Sequence, residues 1–194
     1  MNAKTKAVLT EQEKMKLLRV ARAAITAAVK RAPLPAIDVD AQTPLLRDDG
    51  ASFVTLTKDG RLRGCIGTME AHQPLIRDVQ EHAVAAAMSD FRFPAVKIGE
   101  LAEIRIEISR LTALQPLDYA TPDELLQLLR VGIDGVLIAA GGRQATFLPQ
   151  VWEQLPEPEV FLSHLCTKMG AAADVWKEQP IEVFIYQVEK FSEA

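Results

Sequence analysis

Between residues 17 and 29 apolar side chains recur every three or four positions: Leu17, Leu18, Ala21, Ala24, Ile25, Ala28 and Val29. That spacing puts them on one stripe of an α-helix. Thr10 followed by Glu13 has the capping-box spacing, so the helix is predicted to open there and to run through about Lys30. Pro33 and Pro35 end it, and the proline-bearing stretch that follows, to Gly50, reads as an extended connection. The period then drops to two. "ASFVTLTKDGRLRGCIGTM" holds two β-type runs around Asp59-Gly60, a pair suited to a two-residue type I′ turn. Such a turn sets Lys58 opposite Arg61, Leu56 opposite Arg63 and Val54 opposite Cys65. Residues two apart on a strand share a face, so Arg63 and Cys65 are expected side by side.

Pro74 suits a helix start, and Leu75, Ile76, Val79, Ala83 and Ala86 form the inward stripe of the segment that follows. "FRFPAV" reads as a loop. Ile104, Ile106 and Ile108 alternate with Arg105, Glu107 and Ser109, the pattern of a half-buried antiparallel strand. Thr121-Pro122-Asp123-Glu124 is a second capping box, opening a short helix to about Arg130. A second hairpin turns at Gly141-Gly142, "EVFLSHLCTKMG" is a helix closed by Gly170, and "IEVFIYQVEKF" is a final strand. Hairpins and helices mix without βαβ alternation. The predicted class is α+β, with mainly antiparallel sheet and packed helices.

Composition narrows the function classes. The 194 residues are 48% hydrophobic and 25% charged, with a net charge of −4, so one globular domain over 1–194 is expected. No Lys/Arg block provides the footprint of a nucleic-acid binder. No apolar stretch is long enough to span a bilayer, and the opening "MNAKTKAVLTEQEK" lacks the apolar core of a signal peptide. Cys65 and Cys166 stand far apart, without a CxxC or a disulfide framework. Free thiols and a cytoplasmic location are therefore expected.

"LRGCIGTMEAHQPL" at 62–75 resembles the signature of the AMMECR domain family, also called AmmeMemoRadiSam system protein A. "FVTLTKDG", "SDFRFPAV", "IRIEISRL", "FLPQVWEQ" and "FLSHLCTKMG" resemble further family segments in the family order, so the likeness runs from about Phe53 to Phe191. The resemblance implies an α+β fold with a larger and a smaller lobe and a cleft where the signature lies. It also implies a pathway shared with a Memo-like protein, related to extradiol dioxygenases, and a radical-SAM protein. It implies no settled activity. This chain departs from the family pattern at Phe91 and Ala95, where the family carries prolines, and after Lys168.

The residues themselves nominate a site. A neutral thiol is a weak nucleophile, and a neighbouring cation favours the thiolate. Cys65 is thus a candidate nucleophile or ligand-contacting thiol, with Arg63 holding an anion and Gly64 and Gly67 allowing close approach. Arg92, matching the family's Arg-Phe-Pro, is a candidate second cation for an anionic small molecule. Glu70 completes the candidate set. A packing reading competes at each position: cysteine often only fills space, Arg63 can pair with a carboxylate such as Glu70, and Arg92 can anchor its loop. His72, His82 and His164 form no metal-ligand spacing, and no glycine pattern suits a nucleotide, so neither metal nor cofactor is expected from local motifs. A composite metal site from distant segments, or His164 as a general base for Cys65, would need the fold to bring those residues together. Cys166 reads as packing, and Lys168 as a cation answering carbonyls at its helix end. An enzyme component with a small-molecule site and a non-catalytic protein-binding adaptor both stay open.

Overall fold

The Thr10–Glu13 capping box forms: the Thr10 hydroxyl accepts from the Glu13 N–H, and the Glu13 carboxylate accepts from the Thr10 N–H at 2.8 Å. Behind it runs helix α1 (Glu11–Val29). The structure, a computed structural model, describes residues 8–193; residues 1–7 of the segment read for export lie outside the described residues. Short helix α2 (Pro44–Arg47) interrupts the stretch expected to be wholly extended, with Pro44 at its first position, where a missing N–H costs nothing. Strands β1 (Ala51–Lys58) and β2 (Arg61–Gly67) follow, then helix α3 (Leu75–Met88) and strand β3 (Ile104–Leu111). The second half contributes β4 (Gln115–Pro116), α4 (Pro122–Leu128), β5 (Gly135–Ala140), β6 (Arg143–Phe147), α5 (Pro158–Lys168), α6 (Val175–Glu178), β7 (Glu182–Tyr186) and β8 (Val188–Ser192).

These elements form two compact units. One takes the chain up to Leu111 together with the residues after Val188; the other is Thr112–Val188. The first contains a sheet of order β2-β1-β3-β8, and β1 pairs antiparallel with both of its neighbours. The predicted apolar stripes meet in its core: Leu17, Ala21 and Ile25 of α1, Val79, Ala83 and Ala86 of α3 and Ile104, Ile106 and Ile108 of β3 pack with Val54 and Leu56 of β1. Each fully buried Leu or Ile contributes about 1.5–3 kcal/mol over its exposed state.

The second unit contains a sheet of order β4-β7-β5-β6, antiparallel at the β4–β7, β7–β5 and β5–β6 pairings. Its centre is Trp152, stacked on Phe161 with ring centroids 3.6 Å apart and donating Nε1–H to the Asp134 carbonyl at 2.7 Å. The sequence run 181–191, expected as one strand, is two. It breaks at Gln187, whose backbone N–H donates to Thr112 Oγ1 while its carbonyl accepts from the Thr112 N–H, both at 2.8 Å. β7 and β8 thereby enter different sheets.

Both predicted hairpin turns form. Asp59 and Gly60 take φ of 51° and 73°, and Gly141 and Gly142 take 57° and 76°, the two positive values a type I′ turn requires. The register beyond the first turn is different from expectation. Lys58 faces Arg61 and Thr57 faces Leu62, but Leu56 then faces Gly64, Thr55 faces Cys65 and Val54 faces Ile66. Arg63 is the extra residue of a β-bulge.

Among the described residues no helix is long and apolar enough to cross a membrane.

Candidate functional site

The bulge decides where each signature residue goes. Val54 and Leu56 face the helices, so a strand paired without a bulge would carry Arg63 and Cys65 into the core. One inserted residue moves Gly64 and Ile66 onto that buried face instead and leaves the thiol on the other. A Cβ on Gly64 would overlap the carbonyl oxygen of Ala86, so the glycine is what lets α3 lie directly on β2. A Cβ on Gly67 would overlap Ser52 and Phe53 of β1. Both glycines of the motif therefore have packing roles.

Cys65 is half-buried on the outer face, and the Thr55 hydroxyl donates to its Sγ at 3.2 Å. Its backbone is held from the far side. The Cys65 N–H donates to Asp90 Oδ2 at 2.8 Å, and its carbonyl accepts from Arg92 Nη2 at 3.0 Å. Both groups point away from β1, so Cys65 and Thr55 form a non-hydrogen-bonded pair, the kind that brings side chains closest. β2 is an edge strand, and the loop after α3 covers that edge with a carboxylate and a guanidinium.

The same two side chains bind each other. Arg92 Nε reaches Asp90 Oδ1 at 2.9 Å, and Nη2 reaches Oδ2 at 2.7 Å. Asp90 Oδ1 also accepts the N–H of Arg92, two residues on, which makes a local turn. The Arg92 guanidinium, with the N–H groups of Cys65 and Arg92, holds the buried Asp90 carboxyl far below the usual carboxylate range. Arg92 Nη1 makes no hydrogen bond among the described residues, and its side chain is 43% exposed.

The Arg63 guanidinium is taken up by a carboxylate. Its Nε and Nη2 clasp the two oxygens of Glu100 at 2.9 and 3.0 Å, in a 3₁₀ turn at Ile98–Glu100. Its partner is thus Glu100 and not Glu70. That guanidinium, with the N–H of Lys97, pulls the Glu100 carboxyl down to about 2. Glu70 lies in the exposed turn after β2, where its N–H donates to Thr68 Oγ1 and its carbonyl meets His72 Nδ1.

The outer face continues past the thiol. Thr55 faces Glu107 of β3, and Glu107 pairs with Lys190 of β8 at 3.0 Å. Thiol, hydroxyl, carboxylate and ammonium thus stand on four adjacent strands. Asp90 and Glu107 were not among the sequence candidates. Asp90 was legible in principle, because an Asp two residues before an Arg in a turn-forming run is an Asx-turn signal.

The other expected positions fall elsewhere. His82 is buried against Asp78, which accepts from Ser52 Oγ at 2.5 Å, all within the helix–sheet core. His164 and Cys166 lie on α5 in the second unit, His164 exposed and Cys166 fully buried. Lys168 does not answer carbonyls at its own helix end. Its Nζ donates to the Thr146 carbonyl of β6 at 2.9 Å and lies over the Phe147 ring. Among the described residues no group of three or more His, Cys, Asp or Glu side chains is placed to hold a metal ion.

Comparison with known proteins agrees with this architecture. A model of the AMMECR1 family matches residues 18–191. A protein of Methanothermobacter thermautotrophicus is 37% identical over 96% of this chain and 97% of its own length. One of Methanopyrus kandleri is 35% identical over 95% of this chain and 90% of its own. The crystal structure of an uncharacterised protein from Pyrococcus horikoshii superposes with a TM-score of 0.76 at 31% identity, covering 92% of this chain and 90% of that one.

Proposed function

The chain belongs to the AMMECR1 family, and on that premise we propose that it serves in the cytoplasm as a component of a pathway shared with Memo-like and radical-SAM proteins, binding a small molecule at Cys65. The observation that carries this reading is the treatment of one residue. The sheet half-exposes a thiol and gives its sulfur a hydroxyl donor at 3.2 Å, and the loop along the free edge of β2 fixes both its backbone N–H and its carbonyl. A cysteine that merely filled space would need none of these. Such a rigid first contact is what a binding or reacting group requires.

An anionic ligand suits the site through Arg92, whose outer Nη1 is unspent once Asp90 and the Cys65 carbonyl have taken Nε and Nη2. Arg63 supports the site indirectly, because Glu100 occupies its planar edge and locks the bulge. Thr55 orients the thiol, and Glu107 is the nearest carboxylate along the cross-strand row.

Native mass spectrometry of protein purified gently from its source tests the reading. The expected result is a bound small molecule on the wild type that is absent from Cys65→Ala and depleted in Thr55→Val. Equal occupancy in all three, or none in the wild type, overturns it.

The adaptor reading has one observation of its own. Phe91 is 95% exposed on the loop beside Arg92, an unusual position for an aromatic ring. Capture of a Memo-like or radical-SAM protein that is lost in Phe91→Ala and kept in Cys65→Ala favours the adaptor.

A further inference from the structure

The helices of the first unit carry a second feature, made of different residues from those around Cys65. α1 has an outward stripe as well as its inward one. Met15, Val20 and Ala23 lie on it at helical spacing, and Met15 is 51% exposed. The chain beyond α1 returns as an extended strap, and Pro35, Ala36 and Ile37 form the opposite wall. Gln80 of α3 pins that strap, donating Nε2–H to the Pro35 carbonyl at 2.8 Å. Between the walls lies a hollow of about 630 Å³. That is within the range of small-molecule sites, roughly 300–1,000 Å³.

Its charge is one-sided. Lys16 and Arg19 are the ionised side chains that line it, and no carboxylate does. The neighbouring cations of α1 are engaged, Lys14 by Glu11 and Arg22 by Glu193. Among the described residues Lys16 and Arg19 have no hydrogen-bond or ion-pair partner. Glu13, the nearest carboxylate on the helix, is turned away into the capping box with Thr10 and Thr43. An apolar trough with two unspent cations on one wall suits a molecule with an apolar body and an anionic head.

We propose that the hollow between α1 and the 33–37 strap is a binding site for a small amphiphilic anion, an acyl or aryl body carrying a carboxylate or phosphate. The body lies against Met15, Val20, Ala23 and Ile37, and the head meets Lys16 and Arg19. Salt weakens such binding, because both cations are exposed to solvent.

Amide chemical-shift titration of the full chain tests this with decanoate, decyl phosphate and decylammonium, each below its micelle-forming concentration. Decanoate or decyl phosphate is expected to move the amides of Val20, Ala23 and Ile37, and the choice between them identifies the head group. Decylammonium is expected to leave them in place. Lys16→Glu combined with Arg19→Glu should weaken the anion about tenfold, since two exposed ion pairs are replaced by two repulsions. Ala23→Trp, which fills the trough from an exposed helix position, should abolish binding while the melting curve stays that of a folded protein. Binding of decylammonium as strong as decanoate overturns the proposal. So does indifference to the charge reversal, silence of the three amides toward both anions, or their movement by self-association or an acidic helical peptide alone.

Discussion

The two units each hold one cysteine, and they treat it in opposite ways. Cys65 lies on the outer face of the first unit's sheet, half-buried, beside a hydroxyl donor and a fixed backbone. Cys166 lies on the inner face of α5, fully buried among Leu162, Leu165, Trp152 and Trp176, and that burial pushes its thiol up. One side chain is placed where a second molecule can touch it, and the other is placed where only packing matters. Thiol chemistry is a property of the surroundings rather than of the residue, and here the surroundings were built by neighbouring sequence: a bulge and a covering loop in one case, a helix stripe in the other.

The largest expected consequence is a difference in labelling. With iodoacetamide at neutral pH, Cys65 is expected to react at least about a hundredfold faster than Cys166, because the buried thiol must await an opening that costs several kcal/mol. Peptide mass spectrometry over time reads both sites in one sample. Equal rates would erase the contrast between the units. A rate for Cys65 as slow as that of Cys166 would remove it from the list of accessible groups altogether.

A smaller effect tests the frame that presents Cys65. Gly64→Ala puts a methyl group against the Ala86 carbonyl, a backbone atom that cannot swing aside. The expected cost is about 2–3 kcal/mol in chemical denaturation. The loss should fall on the first unit, so amide exchange there should quicken more than it does around Trp152. A neutral Gly64→Ala would mean that α3 does not rest on β2 as described.

Much of this frame was legible in the residues, and the illegible parts share a cause. Capping at Thr10, the turn at Asp59-Gly60 and the Ile104–Ile108 alternation are local, and each formed as the local pattern requires. The turn dictates register only for the pairs next to it. Farther along, burial of Val54 and Leu56 competes with the turn, and the chain inserts Arg63 as a bulge so that Gly64 and Ile66 take the inner face. Arg63 and Glu100 are 37 residues apart, and no periodicity reports such a pairing. The break at Gln187 is invisible for the same reason: "IEVFIYQVEKF" is apolar enough throughout to be one strand, and only its partner Thr112 divides it. The thiol was found by its motif. Its neighbours had to be found by the fold.

The smallest expected effect is one of pH, and it sets the units against each other once more. In the first unit Asp90 and Glu100 are depressed below their ordinary values, Asp90 by the Arg92 guanidinium and Glu100, to about 2, by Arg63. A depressed carboxyl stabilises the fold above its unfolded value, and that stability drains away as pH falls toward the folded one. The first unit should therefore loosen between about pH 4.5 and 2. In the second unit burial pushes the Tyr186 phenol up to about 12, with its hydroxyl shared between Thr146 and the Phe147 carbonyl. A raised phenol works in the other direction: its contribution is complete below about pH 10 and is lost as pH climbs toward 12. Both tryptophans, Trp152 and Trp176, belong to the second unit, so their fluorescence reports the alkaline transition selectively. Exchange of the Cys65 amide, which is bonded to Asp90, reports the acid one. Glu100→Gln should flatten the acid limb by about 1 kcal/mol and leave the fluorescence transition where it was, whereas Tyr186→Phe should remove part of the alkaline limb and spare the Cys65 amide. If Glu100→Gln moved both limbs together, the two units would be melting as one, and the separation between a site-bearing sheet and a packed one would have no thermodynamic counterpart.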